Sequence, residues 1–392
     1  WEVLEGFASF GFCKAHAAAF ALPTYQSAWF KAHHPAAFLA GVLTHDPGMY
    51  PKRLILDDAR NFGITILGLD INVSDDCYRV ERVPSGFGIR LSLLDVSGMS
   101  AEYVDRIVAN RPYVDLPDFQ HRVGLPLAMN EKLIRAGAFD DVYGLRRASA
   151  PRGAAGITHR DLLLQAADLA RGSRRGMRRQ AQLEPRGVVE QLSFDSLEAA
   201  SSVAMTESAR APARAPASTG LPEVTDAERV EAELQILGLD VTRHVVDFHA
   251  ELLDHLAVTR SCDLLVCRTR ATVLVAGTVI MNQTPPVRSG RRVIFTTLDD
   301  ATGPIDIAFF DDVQHACATT VLTADMLLVR GITRRTGPRG ISIRATACWD
   351  LDEVQRVWRD AGLAGVRMLL GDHRGVAHNG VVRHPYLIPG SR

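Results

Sequence analysis

The sequence predicts a multidomain α+β protein: a helical front half followed by a five-stranded β-barrel. Three observations predict it. Apolar residues recur at helical spacing through roughly the first 140 positions, the period changes from 3.6 to 2 beyond about residue 240, and an Ala/Pro/Ser-rich stretch at 199–222 lies between. A length of 392 residues suggests two to three domains, and 47% hydrophobic with 23% charged residues is ordinary globular composition, ample for a core.

In the front half, Tyr25, Ala28, Trp29 and Ala32 recur at helical spacing, and Pro35 opens a second helix with the stripe Phe38, Leu39, Val42 and Leu43. Pro23 should kink or divide the first helix near Leu22, because proline lacks the amide and its ring meets the preceding turn. A third helix from about Lys52 to Phe62 carries Leu54, Ile55 and Ala59 inward and stops at Gly63. Gly88-Ile89-Arg90-Leu91 reads as a short strand. Ser97-Gly98-Met99-Ser100 is a tight turn into an amphipathic helix with Val104, Ile107 and Val108 on one face, ended by Arg111-Pro112. The run Asn130–Asp140 reads as an Asn-capped helix stopped by Gly137.

Residues 146–179 hold nine arginines against two aspartates, with Arg174, Arg175, Arg178 and Arg179 at the end of a helix expected from Thr158 to about Arg171. Duplex DNA attracts such a patch by counterion release; the alternative is a solvated basic linker. Residues 199–222 are too poor in apolar side chains to pack and read as a flexible linker.

Strands are expected at 271–281, 291–299, 304–310, 326–335 and 341–348, separated by turn clusters at 285–286, 301–303 and 336–340. Five strands in this pattern suggest an OB-fold, which binds single strands by pairing an electropositive groove with aromatic faces. Arg291, Arg292, Arg334 and Arg335 supply charge, alongside Arg288, Arg339 and Arg344. Phe295, Phe309 and Phe310 are the available rings, and at alternating positions at least one of Phe309 and Phe310 must face the core.

A formal net charge of -1 means that any nucleic-acid surface must come from local clusters of arginine. Six scattered cysteines, without Cys-x-x-Cys or metal spacing, argue for reduced thiols in a cytoplasmic protein and against a metal site. No apolar run reaches bilayer-spanning length, so no membrane partner is expected. The acidic pairs Asp57-Asp58, Asp75-Asp76, Asp299-Asp300 and Asp311-Asp312 read as solvated turns or helix ends, because adjacent carboxylates point to different faces and do not readily share a metal. No catalytic residue is assigned.

The run Gly6-Phe7-Ala8-Ser9-Phe10-Gly11-Phe12-Cys13-Lys14-Ala15-His16-Ala17-Ala18-Ala19-Phe20, followed by Tyr25-Gln26-Ser27-Ala28-Trp29-Phe30-Lys31-Ala32-His33-His34-Pro35, resembles the fingers of the bacterial C-family DNA polymerases, the replicative alpha subunit and its error-prone relative. Four further runs resemble later parts of that family. They are Asp70-Ile71-Asn72-Val73-Ser74, Leu133-Ile134-Arg135-Ala136-Gly137-Ala138-Phe139-Asp140, the helix Glu228 to Leu239, and Val293 to Asp306 with its turn at Gly303.

The resemblance implies fingers over 1–75, a helix-hairpin-helix duplex-binding region over 76–145, a basic helix and linker over 146–222, an OB domain over 223–350 and a tail over 351–392. It implies that Lys14 and His16 meet the incoming deoxynucleoside triphosphate, or else merely solvate a helix start. Ser97, Gly98, Met99 and Ser100 would offer amides to a duplex phosphate, or form a plain helix-helix corner. Gln191, Leu192 and Phe194 resemble a peptide that holds the sliding clamp, or a loop tacked onto the preceding helix. The chain, starting at Trp1, reads as a fragment. The palm, with its aspartates and Mg2+, would lie upstream; no cofactor is expected on residues 1–392, and the fragment alone should be inactive. Primer-template DNA and single-stranded DNA are the implied partners, in replication or repair. Departures in the hairpin and clamp-like peptide lean toward error-prone, damage-tolerance synthesis. The alternative is a noncatalytic nucleic-acid-binding accessory that lacks the palm.

Overall fold

The computed structural model describes residues 14–46, 48, 50–145, 156–183, 218–285, 292–335, 337 and 340–371, by backbone alone at 14 and 173–183. The chain divides into two compact units, residues 1–244 and 245–392.

The first unit opens with helices α1 (Lys14–His33), α2 (Pro35–Thr44) and α3 (Lys52–Asn61). Helix α1 runs through Pro23 without interruption, contrary to the expected break. It is exposed from Ala15 to Phe30, so the carbonyl deprived of the proline amide faces water rather than a dry core, and Thr24 Oγ1 donates to Phe20 O at 2.7 Å. Helix α2 starts on Pro35 and buries Ala36, Leu39, Ala40 and Leu43. In α3 the fully buried residue is Leu56 rather than Leu54, beside Ala59.

A small sheet follows: β1 (Thr65–Leu67) lies parallel to β3 (Gly86–Arg90), which lies antiparallel to β2 (Arg79–Val83). The Asp70–Ser74 run folds on itself. Asp70 Oδ1 accepts from the Asn72 amide at 2.8 Å, Ser74 Oγ accepts from the Asp70 amide at 3.0 Å, and the Asn72 side chain exchanges two hydrogen bonds with the Tyr113 backbone. The Ile71 amide donates to Ala138 O at 2.8 Å, which joins this run to the Ala136–Asp140 run.

Helices α4 (Ala101–Ala109), α5 (Leu116–Val123), α6 (Leu127–Arg135) and α7 (Asp140–Tyr143) pack around Tyr113, Phe119 and Phe139, whose rings stack edge-on at 5.0 and 5.2 Å. Asn130 does not cap α6: the helix begins three residues earlier after Pro126, and Asn130 is buried against Gln120. Helix α8 (His159–Leu183) is 25 residues long, so the basic positions 174–179 lie within it rather than after it. Helix α9 (Asp226–Leu237) starts with a Thr225/Glu228 capping box and places Ile236 and Leu237 in this same core, whereas the sequence reading grouped it with the barrel.

In the second unit, α10 (Ala250–His255) and α11 (Ser261–Leu264) precede a closed barrel of β4 (Thr272–Gln283), β5 (Ile294–Asp299), β6 (Pro304–Phe309), β7 (Met326–Arg335) and β8 (Ile341–Asp350), in the order β4-β5-β6-β8-β7. Helix α12 (Asp311–Thr323) connects β6 to β7, and β6 pairs parallel with β8; this is the five-stranded OB topology. Alternation buries Val273, Val275, Leu298, Ile305, Ile307, Phe309, Leu327, Val329 and Ile343 inside. Close approach requires glycine at 331, where a Cβ would sit 2.6 Å from Arg344 O. Residues read as a tail form α13 (Leu351–Leu369), which leaves helical geometry at Gly362 and buries Leu351, Val354 and Val366 with Leu252, Leu253 and Leu328.

Three aspartates expected in solvated turns are buried: Asp57, Asp299 and Asp300. Each is tied by local donors. Asp57 pairs with Arg60, Asp299 Oδ1 accepts from the Ala301 amide at 3.0 Å, and Asp300 accepts from the Ser261 amide and from Thr302 N and Oγ1 at 2.7–2.9 Å.

Candidate nucleic-acid interface

In the first unit the turn 97–100 projects exposed Ser97, Gly98 and Ser100. Gly98 holds φ 83, a left-handed backbone that disfavours side chains, and Ser100 Oγ accepts from the Tyr103 amide to cap α4. Two of the four amides are committed: Ser97 N donates to Ile236 O and Met99 N to Val96 O, both at 2.8 Å. The turn therefore offers a phosphate the amides of Gly98 and Ser100 at a helix start, not four in a row. Lys132, on α6, donates to Ser97 O, and its Nζ lies 3.6 Å from where a Cβ on Gly98 would be. This adjacent cation escaped sequence reasoning because it is 34 positions away; its place in the Asn130–Asp140 run was the only signal.

Elsewhere in this unit a buried ion network ties the helices together. His159, 2% exposed, places Nε2 2.7 Å from Asp140 Oδ1 and Nδ1 2.9 Å from Glu223 Oε1. Burial alone would lower its pKa, but the two carboxylates outweigh it and raise it to about 9, so the ring is an imidazolium at neutral pH. Asp140 also meets Arg229 Nη1 at 3.1 Å. A cleft of about 330 Å³ nearby is lined by Arg135, Arg160 and Arg229, of which Arg160 pairs with Glu228 at 2.9 Å.

On the barrel, Phe295 points outward and is 42% exposed, while Phe309 is fully buried and Phe310 half-buried. Register places Gln283, Phe295, Ala308 and Arg344 in one row across β4, β5, β6 and β8. Two inter-strand spacings, about 10 Å, separate the ring from the cation. Arg344 pairs with Asp312 at 2.7 Å and lies 5.4 Å over the Phe310 ring. An outward aromatic and a cation on the β5-β6-β8 face are the elements with which a barrel stacks a base and holds its phosphate. The next row carries Thr297 bonded to Asp306.

The other expected positions fall as follows. Lys14 is the first residue of α1, and His16 is exposed and packs edge-on against Phe20 at 4.5 Å. Arg174, Arg175, Arg178 and Arg179 occupy helical positions i, i+1, i+4 and i+5 of α8. Arg292 and Arg334 are exposed, and Arg335 donates to the carbonyls of Leu265 and Cys267. Arg291 and the clamp-like Gln191, Leu192 and Phe194 lie outside the described residues.

Residues 63–150 match the family described as helix-hairpin-helix motif and residues 273–351 the one described as OB-fold nucleic acid binding domain. It is 33% identical over 336 residues to the error-prone DNA polymerase of Nocardia farcinica, covering 84% of this chain and 26% of that protein. Its identity to the error-prone DNA polymerase of Symbiobacterium thermophilum is 30% over 351 residues, covering 82% of this chain and 30% of that protein, and to that of Pseudomonas fluorescens 31% over 355 residues, covering 86% and 30%. The chain is thus a relative of the bacterial C-family DNA polymerases, on their error-prone side, and spans less than a third of the length of these relatives. Among solved structures, a mitochondrial single-stranded DNA-binding protein from S. cerevisiae aligns with 21% of this chain and 96% of its own, at 12% identity and a TM-score of 0.18, too low to argue from. Among the described residues no helix is long and apolar enough to cross a membrane.

Proposed function

We propose that this chain supplies the DNA-holding parts of an error-prone, C-family DNA polymerase acting in the cytoplasm. The hairpin turn at Ser97–Ser100 with Lys132, and the basic run of α8, grip the primer-template duplex through its phosphates. The barrel face with Phe295 holds the single-stranded template. Lys14 and His16 face the deoxynucleoside triphosphate, and Gln191, Leu192 and Phe194 engage the sliding clamp. In this reading the Mg2+ and the aspartates that activate the primer 3' end belong to a palm outside residues 1–392, and the chain alone does not polymerise. The observation that carries the proposal is that one chain holds a helix-hairpin-helix match and an OB match within a 336-residue similarity to an error-prone polymerase.

The engagement of six of the eight carboxylates in the four acidic pairs supports a palm elsewhere. Besides the buried Asp57, Asp299 and Asp300, Asp58 pairs with Lys31, Asp75 with Arg79 and Asp312 with Arg344, so these carboxylates are committed to structural bonds.

The test is fluorescence anisotropy of the full chain with a labelled 20-base-pair duplex and, separately, a 20-nucleotide thymidylate strand across a salt series. Both should bind with affinities that fall as salt rises. Failure to bind either would refute the proposal.

A further inference from the structure

A basic edge of the barrel continues from the Phe295–Arg344 row, since Arg344 lies opposite Ile332 on β7 and Ile332 opposite Thr272 on β4. Three exposed residues, Arg268, Thr269 and Arg270, lead into β4, and exposed Arg334 and Arg335 end β7. The two segments are fastened together. Arg270 N donates to Thr333 O at 2.9 Å and Thr333 N to Ala271 O at 3.0 Å. The Thr333 side chain, buried to 1%, adds two more bonds: its hydroxyl donates to Arg268 O at 2.6 Å and accepts from the Ala271 amide at 3.0 Å. Arg335 braces the same loop by donating to the carbonyls of Leu265 and Cys267. The nearby acid on this loop is Asp263, in α11.

Arg270 is held at φ 66, a left-handed conformation that a residue with a Cβ rarely adopts and that the surrounding bonds must enforce. The bonds from Thr333 to the backbone of Arg268, Arg270 and Ala271 fix the main chain that carries both arginines, while their side chains stay exposed. Arginine's planar fork suits a phosphodiester, and a fixed backbone lowers the ordering cost of each contact.

We propose that Arg268, Arg270 and Arg334 form a phosphate-binding edge that holds the backbone of single-stranded DNA as it leaves the barrel face. The inference rests on the reading that the barrel binds single strands, and it adds Arg268 and Arg270 to Arg334, which the strand pattern already pointed to.

The experiment compares three forms of the 392-residue chain on a labelled 20-nucleotide thymidylate strand: wild type, Arg268→Gln/Arg270→Gln, and a charge-matched control, Arg356→Gln/Arg359→Gln, which removes two exposed arginines of α13. The log affinity against log salt should flatten by up to about 1.4 in the first variant, roughly 0.7 per lost phosphate contact. The control should keep the wild-type slope. Equal slopes in both variants would overturn the inference while leaving single-strand binding intact. No binding by the wild type would instead sink the reading on which it rests, and the inference with it.

Discussion

Replacing His159 with Gln should destabilise the first unit in a way that depends on pH. The ring is 2% exposed and lies between Asp140 at 2.7 Å and Glu223 at 2.9 Å. Its pKa, lowered by burial but raised more by these two carboxylates, stands at about 9 against an ordinary 6.5. That difference is worth about 3 kcal/mol of stability. Because the folded-state value is the higher one, the contribution is fully present below pH 6.5, mostly present at pH 7, and lost as pH rises through about 9. Hydrogen exchange followed by mass spectrometry suits a chain of two units, since it reads each separately. Wild type and His159→Gln should differ at pH 7 by about a hundredfold in the opening equilibrium of peptides from α6, the start of α8, and α9. By pH 10 the difference should have largely closed. A gap of the same size at pH 7 and pH 10, or none at pH 7, would refute the reasoning that a buried imidazolium holds these helices.

Two further outcomes separate surface from core. Phe295→Ala should leave the barrel's melting temperature nearly unchanged and weaken single-strand binding by about 1–3 kcal/mol, the worth of one stacked base, whereas Phe309→Ala should destabilise the barrel by about 3–5 kcal/mol; anisotropy and thermal melting check both. Replacing Arg174, Arg175, Arg178 and Arg179 with Ala should flatten the salt dependence of duplex binding by up to about 0.9 log units per lost phosphate contact, and an unchanged slope would leave the basic run without a role in DNA binding.

The barrel was legible in the sequence because its signals are local. Alternation at Ile294–Asp299 and Pro304–Phe309, with the turn at 301–303 between them, places both strands to within a few residues, and the same alternation demands that Phe309 or Phe310 be buried. The motifs that resemble the polymerase family were equally legible, yet much of their content is scaffold: Asp70, Asn72 and Ser74 fold a turn, and Asp140 binds His159 and Arg229. What sequence hid was long-range pairing. His159 meets partners 19 and 64 positions away, and Lys132 reaches the hairpin from another helix. The burial of Asp299 and Asp300 could not be read either, because backbone amides supply the donors and every sequence has those. Helix α13 was missed because its apolar face packs on α10 and the outside of the barrel, a surface that appears only once the strands close.

The measurement closest to the central claim uses a recessed primer-template with a 20-nucleotide single-stranded overhang, the full chain, Mg2+ and all four deoxynucleoside triphosphates, with binding and primer length followed in the same samples. The account predicts that the junction is bound more tightly than either duplex or single strand alone and that the primer does not lengthen. Primer extension by this chain would place a palm within residues 1–392 and contradict the account, as would a junction bound no better than its separate parts.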